Sequence, residues 1–391
     1  MNKILNYILI FSVLAVCMTS CIDSLDDVNK DESQVTFVAR MTDYSYRNVN
    51  SKSLDLSDFE TQVKSLHFLV FDGEGNRVAM KTGSTGSLTV EFKSEEAYTD
   101  ATVCCVANMR QTYVKDSLLT LSDLYDTHYK VSYAPVEETG CVGVPMYEDG
   151  SYAIPMVGIV EGLDFSLVGA EPYPISLRRL FSKVVVNFGL NLGNDITSQE
   201  KPFFRFKEYT VSGLPKYVRL AETDEETDYE EFVAPQTVVM ADEKLYDKEA
   251  PYTFVLYMPE SYIQPKITPE IASQDWYLEK DQRYKPVLAE GLDAACVSLS
   301  GSYRPTGEGN QVGYDLEYDI YLGENNFDNF SLRRNVLYNN DVTIRGFAGV
   351  GWEAEVDHRV DVEVNGFINA CIYVILHCVQ NDTLIAQGSY R

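Results

Sequence analysis

What most constrains this chain is the recurrence of short period-2 segments, rich in β-branched and aromatic residues and each closed by a turn signal. Residues 34–40 (QVTFVAR), 63–71 (VKSLHFLVF), 87–92 (SLTVEF) and 101–107 (ATVCCVA) read as strands. Asp72-Gly73-Glu74-Gly75-Asn76, after the second of these, reads as a hairpin turn, because no bidentate Glu follows where a calcium loop requires one. Residues 117–125 read as one short helix. Sustained helical periodicity is absent elsewhere, so the expected class is all-β. A second series runs through residues 177–188, 209–214, 253–258, 312–321, 335–346 and 351–364. A chain of 391 residues exceeds one comfortable core, so two β-sandwiches in series are expected, with a boundary near residues 172–176.

The first twenty residues are not part of that pattern. Lys3 precedes an apolar stretch over residues 4–18, broken by Asn6, Tyr7 and Ser12. It is too short to span a bilayer core of about 30 Å and reads as a secretory signal that is removed. Met18-Thr19-Ser20-Cys21 resembles a bacterial lipobox, in which the cysteine thiol is diacylated and becomes the new N-terminus. Two or three acyl chains anchor stably where one is marginal. The plainer alternative is an ordinary signal peptide with an incidental cysteine. Asp23, Ser24, Leu25, Asp26 and Asp27 resemble the acidic signal that passes Bacteroidetes lipoproteins to the outer face of the outer membrane; the alternative is a solvated linker. The expected organisation is signal 1–20, acidic linker 21–33, sandwiches 34–174 and 175–365, and tail 366–391.

Composition narrows the partners. The chain has 32 Lys+Arg against 59 Asp+Glu, a formal charge of −27, and Lys3 is the one charge in the signal. Such a field repels nucleic acid and anionic lipid, so no nucleic-acid partner is expected. Tyr outnumbers Trp by 27 to 2, which suits strands and half-buried faces. Beyond Cys17 and Cys21, the cysteines Cys104, Cys105, Cys141, Cys296, Cys371 and Cys378 show no metal spacing. Cys104 and Cys105, adjacent in a strand, point to opposite faces and are expected to be buried free thiols. His67, His128, His358 and His377 are scattered, so neither metal nor cofactor is expected. No HExxH, GxSxG, P-loop or strand-following GxGxxG is present, and Asp361 and Glu363 alternate with valines as on the solvent face of a strand. No enzyme activity is expected. Residues 222–231 (ETDEETDYEE) read as a solvated acidic loop, with divalent-ion binding the weaker alternative.

Four stretches, in order, resemble the fimbrillin superfamily of Bacteroidetes, whose members build surface fimbriae (type V pili). Residues 67–78 (HFLVFDGEGNRV) are similar to its early strand ending in Phe-Asp-x-x-Gly. Ile154-Pro155-Met156-Val157-Gly158 resembles a Pro-Met-small-Gly segment, followed by Leu177-Arg178-Arg179-Leu180-Phe181-Ser182-Lys183-Val184. Tyr257-Met258-Pro259-Glu260 is similar to Tyr-x-Pro-Glu-Asn, with Ser261 in place of Asn. The most specific is Tyr321-Leu322-Gly323, then Phe330-Ser331-Leu332-Arg333-Arg334-Asn335, Tyr338 and Val342-Thr343-Ile344-Arg345-Gly346.

The resemblance implies tandem transthyretin-like β-sandwiches, a place in the fimbrium at the cell outer membrane, and other fimbrial subunits as partners. In that superfamily an arginine-directed protease removes the N-terminal strand of shaft subunits, and a neighbour's C-terminal strand fills the groove. An anchor subunit keeps its lipid and first strand. Arg40 and Arg47 are the candidate cut sites here, or two ordinary surface arginines. Ile372, Val374 and Leu376, in the apolar run 370–379, are candidate donor-strand residues, or belong to an intradomain edge strand. Neither arginine has a clear cleavage context, which favours an accessory or anchor subunit. A reading from another class is a glycan- or host-binding surface lipoprotein on the same fold, with Trp276 and Tyr277 as the sugar platform.

The motif residues also have a physical reading of their own. Gly323 and Gly346 are expected to end strands where a positive φ or a tight turn is wanted. Arg179 and Arg334 are expected as partly buried guanidiniums satisfying carbonyls or a carboxylate. Tyr338 is expected to bury its ring and turn its hydroxyl to a polar group.

Overall fold

A computed structural model describes residues 32–43, 45–46, 58–83, 87–93, 98–167, 171–190, 203–222, 229, 231–240, 252–280, 285–304, 314–325, 327–348, 359–365, 371–372, 374–380 and 383–390. Cys21, Arg47 and the first twenty residues lie outside these.

The chain begins with β1 (Glu32–Met41), β2 (Ser45–Tyr46), α1 (Asp58–Thr61), β3 (Leu66–Phe71), β4 (Arg77–Gly83), β5 (Ser87–Lys93) and β6 (Ala101–Ala107). Helices α2 (Gln111–Ser117) and α3 (Leu121–Asp126) lead to β7 (His128–Lys130), β8 (Ser132–Tyr133), α4 (Val136–Thr139), β9 (Pro145–Met146) and β10 (Met156–Leu163). Then come β11 (Tyr173–Arg179), β12 (Phe181–Leu190), β13 (Phe203–Ser212), β14 (Tyr217–Arg219), β15 (Gln236–Val239) and β16 (Tyr252–Pro259). Helices α5 (Pro269–Ala272), α6 (Asp275–Leu278) and α7 (Lys285–Ala289) precede β17 (Cys296–Arg304), β18 (Tyr314–Tyr321) and β19 (Val336–Ala348). The described chain closes with β20 (Arg359–Asn365), β21 (Cys371–Ile372), β22 (Val374–Gln380) and β23 (Thr383–Tyr390).

Three larger sheets carry the all-β fold. The first is ordered β4-β3-β6-β10-β11-β1-β5, the second β16-β12-β19-β2 with β20 on β19, and the third β15-β13-β17-β18-β22-β23 with β21 on β18. The central strands β3 (LHFLVF) and β6 (ATVCCVA) are buried along their whole length. That is why they read as continuous apolar runs rather than as alternation. Their side chains still alternate between two cores. Phe68, Val70 and Cys105 pack with Phe37, Ile175 and Leu177, whereas Leu69, Phe71 and Cys104 pack on the other face with Leu124, Leu180, Phe181 and Tyr257. The adjacent cysteines therefore enter different cores as buried free thiols, and burial pushes both well above the usual thiol range.

The second of these cores joins residues from both halves of the chain. Strand β11 runs through the boundary expected at residues 172–176 and pairs with β10 and β1, so the chain leaves the first sheet only after Arg179 and enters the second at Phe181. Tyr209 of β13 and Phe254 of β16 stack at 4.4 Å, facing the third sheet onto the second.

Several local expectations shift. Residues 63–65 precede β3, and α1 stands just before them. The helix expected at 117–125 is α3 (Leu121–Asp126), started by a capping box between Thr120 and Asp123, and a second helix not expected from the sequence, α2 (Gln111–Ser117), precedes it. Asp72 does make a hairpin turn, its Oδ1 accepting from the Glu74 and Asn76 amides at 3.0 and 2.8 Å. Gly323 (φ +156°) is required by a close approach: a Cβ there would collide with the Asn329 carbonyl. Gly346 lies inside β19, at the register shift between Ile344 and Phe347, and so marks an irregularity within a strand rather than its end.

Candidate functional site

Strand β1 is held on both sides. It pairs antiparallel with β5 from Glu32↔Lys93 to Val38↔Ser87, and parallel with β11 from Phe37↔Tyr173 to Met41↔Leu177. Val35 and Phe37 are buried, and the Phe37 ring lies 5.5 Å from that of Phe165. Arg40 is exposed opposite Ser176.

Beyond β1 the backbone enters a polar corner. The Thr42 amide and hydroxyl both donate to the Leu177 carbonyl, at 2.9 and 2.8 Å. Arg179 Nη1 donates to the Thr42 carbonyl at 2.9 Å, and Arg179 Nε to the Glu60 carbonyl at 2.9 Å. Asn335 closes the corner. Its Oδ1 accepts from Arg179 Nη1 at 3.0 Å, while its Nδ2 donates to Thr42 Oγ1 at 3.2 Å and to the Asp43 carbonyl at 2.7 Å. Asn335 is left-handed (φ 55°), a conformation Asn tolerates better than most residues. Next to this corner Lys183 Nζ lies 2.6 Å from Glu60 Oε1, and the Tyr257 hydroxyl donates to the same oxygen at 2.5 Å. Lys183 and Glu60 are both buried, so each neutralises the other where water cannot.

A twin corner forms around Arg334. Its Nε donates to Glu260 Oε2 at 2.6 Å, Nη1 to the Leu220 carbonyl at 2.6 Å, and Nη2 to the Arg219 and Ala221 carbonyls at 3.1 and 3.2 Å. Tyr338 is buried with its hydroxyl accepting from the Arg333 amide at 3.0 Å, as expected. Arg179 and Arg334 are only 1% and 3% exposed, so burial is fuller than expected, with the partner classes as expected. Both corners are architectural chemistry: cations fixed on carbonyls and carboxylates.

The other candidates lie elsewhere. Trp276 and Tyr277 sit on α6, half-buried, in edge-to-face contact at 6.0 Å, and both rings pack on Phe327. Ile372 falls in β21, and Val374 and Leu376 in β22. These strands lie along β18 of the third sheet, with Ile320↔Ile372 and Asp315↔Val379 in register, and β22 returns as a hairpin through β23. Of the acidic loop, Glu222 pairs with Arg178 and Glu231 with Lys216, while 223–228 lie outside the described residues. Among the described residues no three His, Cys, Asp or Glu side chains come together as a metal site.

Comparison with known proteins places this architecture. A family model described as a domain of unknown function (DUF4906) matches residues 256–342. No curated protein sequence matches. A solved structure of a candidate cell adhesion protein from Bacteroides eggerthii superimposes with a TM-score of 0.50 at 13% identity, covering 87% of this chain and 97% of that one. The chain shares the fold of that structure. The tip fimbrial protein Mfa3 of Porphyromonas gingivalis, C-terminally truncated, gives a TM-score of 0.48 at 16% identity over 86% of this chain and 99% of its own. A fimbrilin (fimA) from Porphyromonas gingivalis gives 0.44 at 10% identity over 86% and 97%.

Within this fold, sequence reasoning missed Glu60, and it missed that Asn335 joins the two halves. One signal was available: Ser-Leu-Arg-Arg occurs twice, at 176–179 and 331–334, with the buried arginine fourth each time. Lys183, a lone cation within the apolar run 180–186, also called for a buried partner.

Proposed function

We propose that this chain is a fimbrial (type V pilus) subunit of the cell surface, of accessory or anchor type. It is tethered to the outer membrane by lipid on Cys21 and joined to other subunits by β-strand donation. The observation that carries this reading is the seat of β1, an interior strand near the N-terminus whose exposed Arg40 stands at its end. Loss of β1 would strip β11 of a neighbour and leave its edge N–H and C=O groups open to an incoming strand. The tail supports the same reading, since β21–β23 are appended at the outer edge of the third sheet and form no part of the first two. The strong negative charge suits a surface that meets other proteins rather than nucleic acid.

The test is incorporation into fibres. Deleting residues 366–391 is expected to abolish co-purification with surface fibres while leaving export intact. A full-length chain that stays monomeric and acylated, in cells displaying fibres that lack it, overturns the reading.

A further inference from the structure

An exposed arginine at the end of a strand invites cleavage, yet the residues after Arg40 are tied down by buried side chains. A peptidase engages several residues on each side of the bond it cuts, drawn out of their native pairing, so native-state cleavage follows local opening. Before the Arg40–Met41 bond, Val38, Ala39 and Arg40 pair with Pro174, Ile175 and Ser176. After it, Thr42 is fixed through its amide, hydroxyl and carbonyl, and Asp43 through its carbonyl. The groups that hold them, Arg179 and Asn335, are themselves buried and bonded to each other. Opening here therefore leaves buried donors of Arg179 and Asn335 unmet, which is the expensive way to lose a hydrogen bond.

We propose that Arg179 and Asn335 form a clasp on Thr42 and Asp43 that shields the Arg40–Met41 bond and retains β1 in its sheet. The two corners of the clasp lie 156 residues apart in sequence, so the seat of β1 depends on the second half of the chain. For its biological meaning this rests on the fimbrial reading, in which a subunit that keeps β1 ends a fibre instead of extending it. The clasp itself is a property of the isolated chain.

The test is limited proteolysis of the folded full-length chain with trypsin, the new termini being quantified by mass spectrometry. Thr42→Val removes the hydroxyl that bridges Leu177 and Asn335, Thr42→Ser restores it, and Asn335→Gly removes the amide while suiting the positive φ. Cleavage after Arg40 is expected to quicken about five- to tenfold in Thr42→Val, and more in Asn335→Gly. It is expected to keep its original rate in Thr42→Ser. Cleavage after the exposed Arg110 serves as reference and is expected not to change. Equal Arg40 cleavage in all four proteins, or acceleration at Arg110 by the same factor, overturns the clasp. Neither outcome bears on whether the chain joins fibres.

Discussion

The corner at residues 176–179 and its twin at 331–334 share a tetrapeptide but differ in what the buried guanidinium grips. In both, the first arginine pairs with an acid, Arg178 with the exposed Glu222 and Arg333 with the largely buried Glu324. In both, the second arginine turns inward. Arg334 meets a carboxylate, Glu260, together with carbonyls that belong to the body of the fold. Arg179 grips the carbonyls of Thr42 and Glu60 and the Asn335 amide, and so takes hold of the N-terminal segment. One corner fastens the body to itself. The other fastens the N-terminal segment just beyond β1.

The contrast breaks most visibly at Glu260. Glu260→Ala leaves Arg334 buried without its carboxylate and is expected to lower unfolding stability by about 3–5 kcal/mol in urea titrations. Arg179→Lys, which cannot reproduce the planar fork, is expected to lose less, about 1.5–3 kcal/mol. A larger loss at Arg179 than at Glu260 would erase the distinction between the corners.

Acid sharpens it further. Burial holds His67 and His128 below the usual histidine range, and for His128 the Arg219 guanidinium adds to the effect. The folded state thus prefers both neutral, with His128 Nε2 accepting from Arg219 Nε at 3.1 Å. The unfolded chain gains protons near pH 6.5, so stability is complete above that value and falls as the pH is lowered through and beneath it. Urea midpoints at pH 8 and pH 5 are expected to show that fall, and His128→Gln, which cannot take up a proton, to reduce it. The smallest effect is at the surface: Arg178→Ala is expected to change stability by less than about 1 kcal/mol, because both partners are well exposed.

Much of this fold was legible because strands buried on one or both faces leave period-2 or continuous apolar traces, as in residues 101–107, whose strand bounds agree with β6. The hairpin at Asp72 was equally plain from its turn chemistry. Less visible were strands such as β17 (CVSLSGSYR), in which Ser and Gly dilute the apolar face. Helix α2 at Gln111–Ser117 was not legible, whereas α3 starts at the capping box of Thr120 and Asp123 within the range read as helical. At the corners, residue types foretold that Arg179 and Arg334 would be satisfied. No local pattern could say that Arg179 reaches back 137 residues to Thr42. Such pairings are set by sheet topology, which joins segments far apart in sequence.

The central claim is that β1 stays in place and the chain remains tethered where it is displayed. Mass spectrometry of the mature N-terminus, on protein taken from the surface of cells that make it, reads this directly. The account predicts an acylated Cys21 at the terminus, followed by an intact β1. A terminus at Met41 or Asn48 would contradict it and make the chain a polymerising shaft subunit.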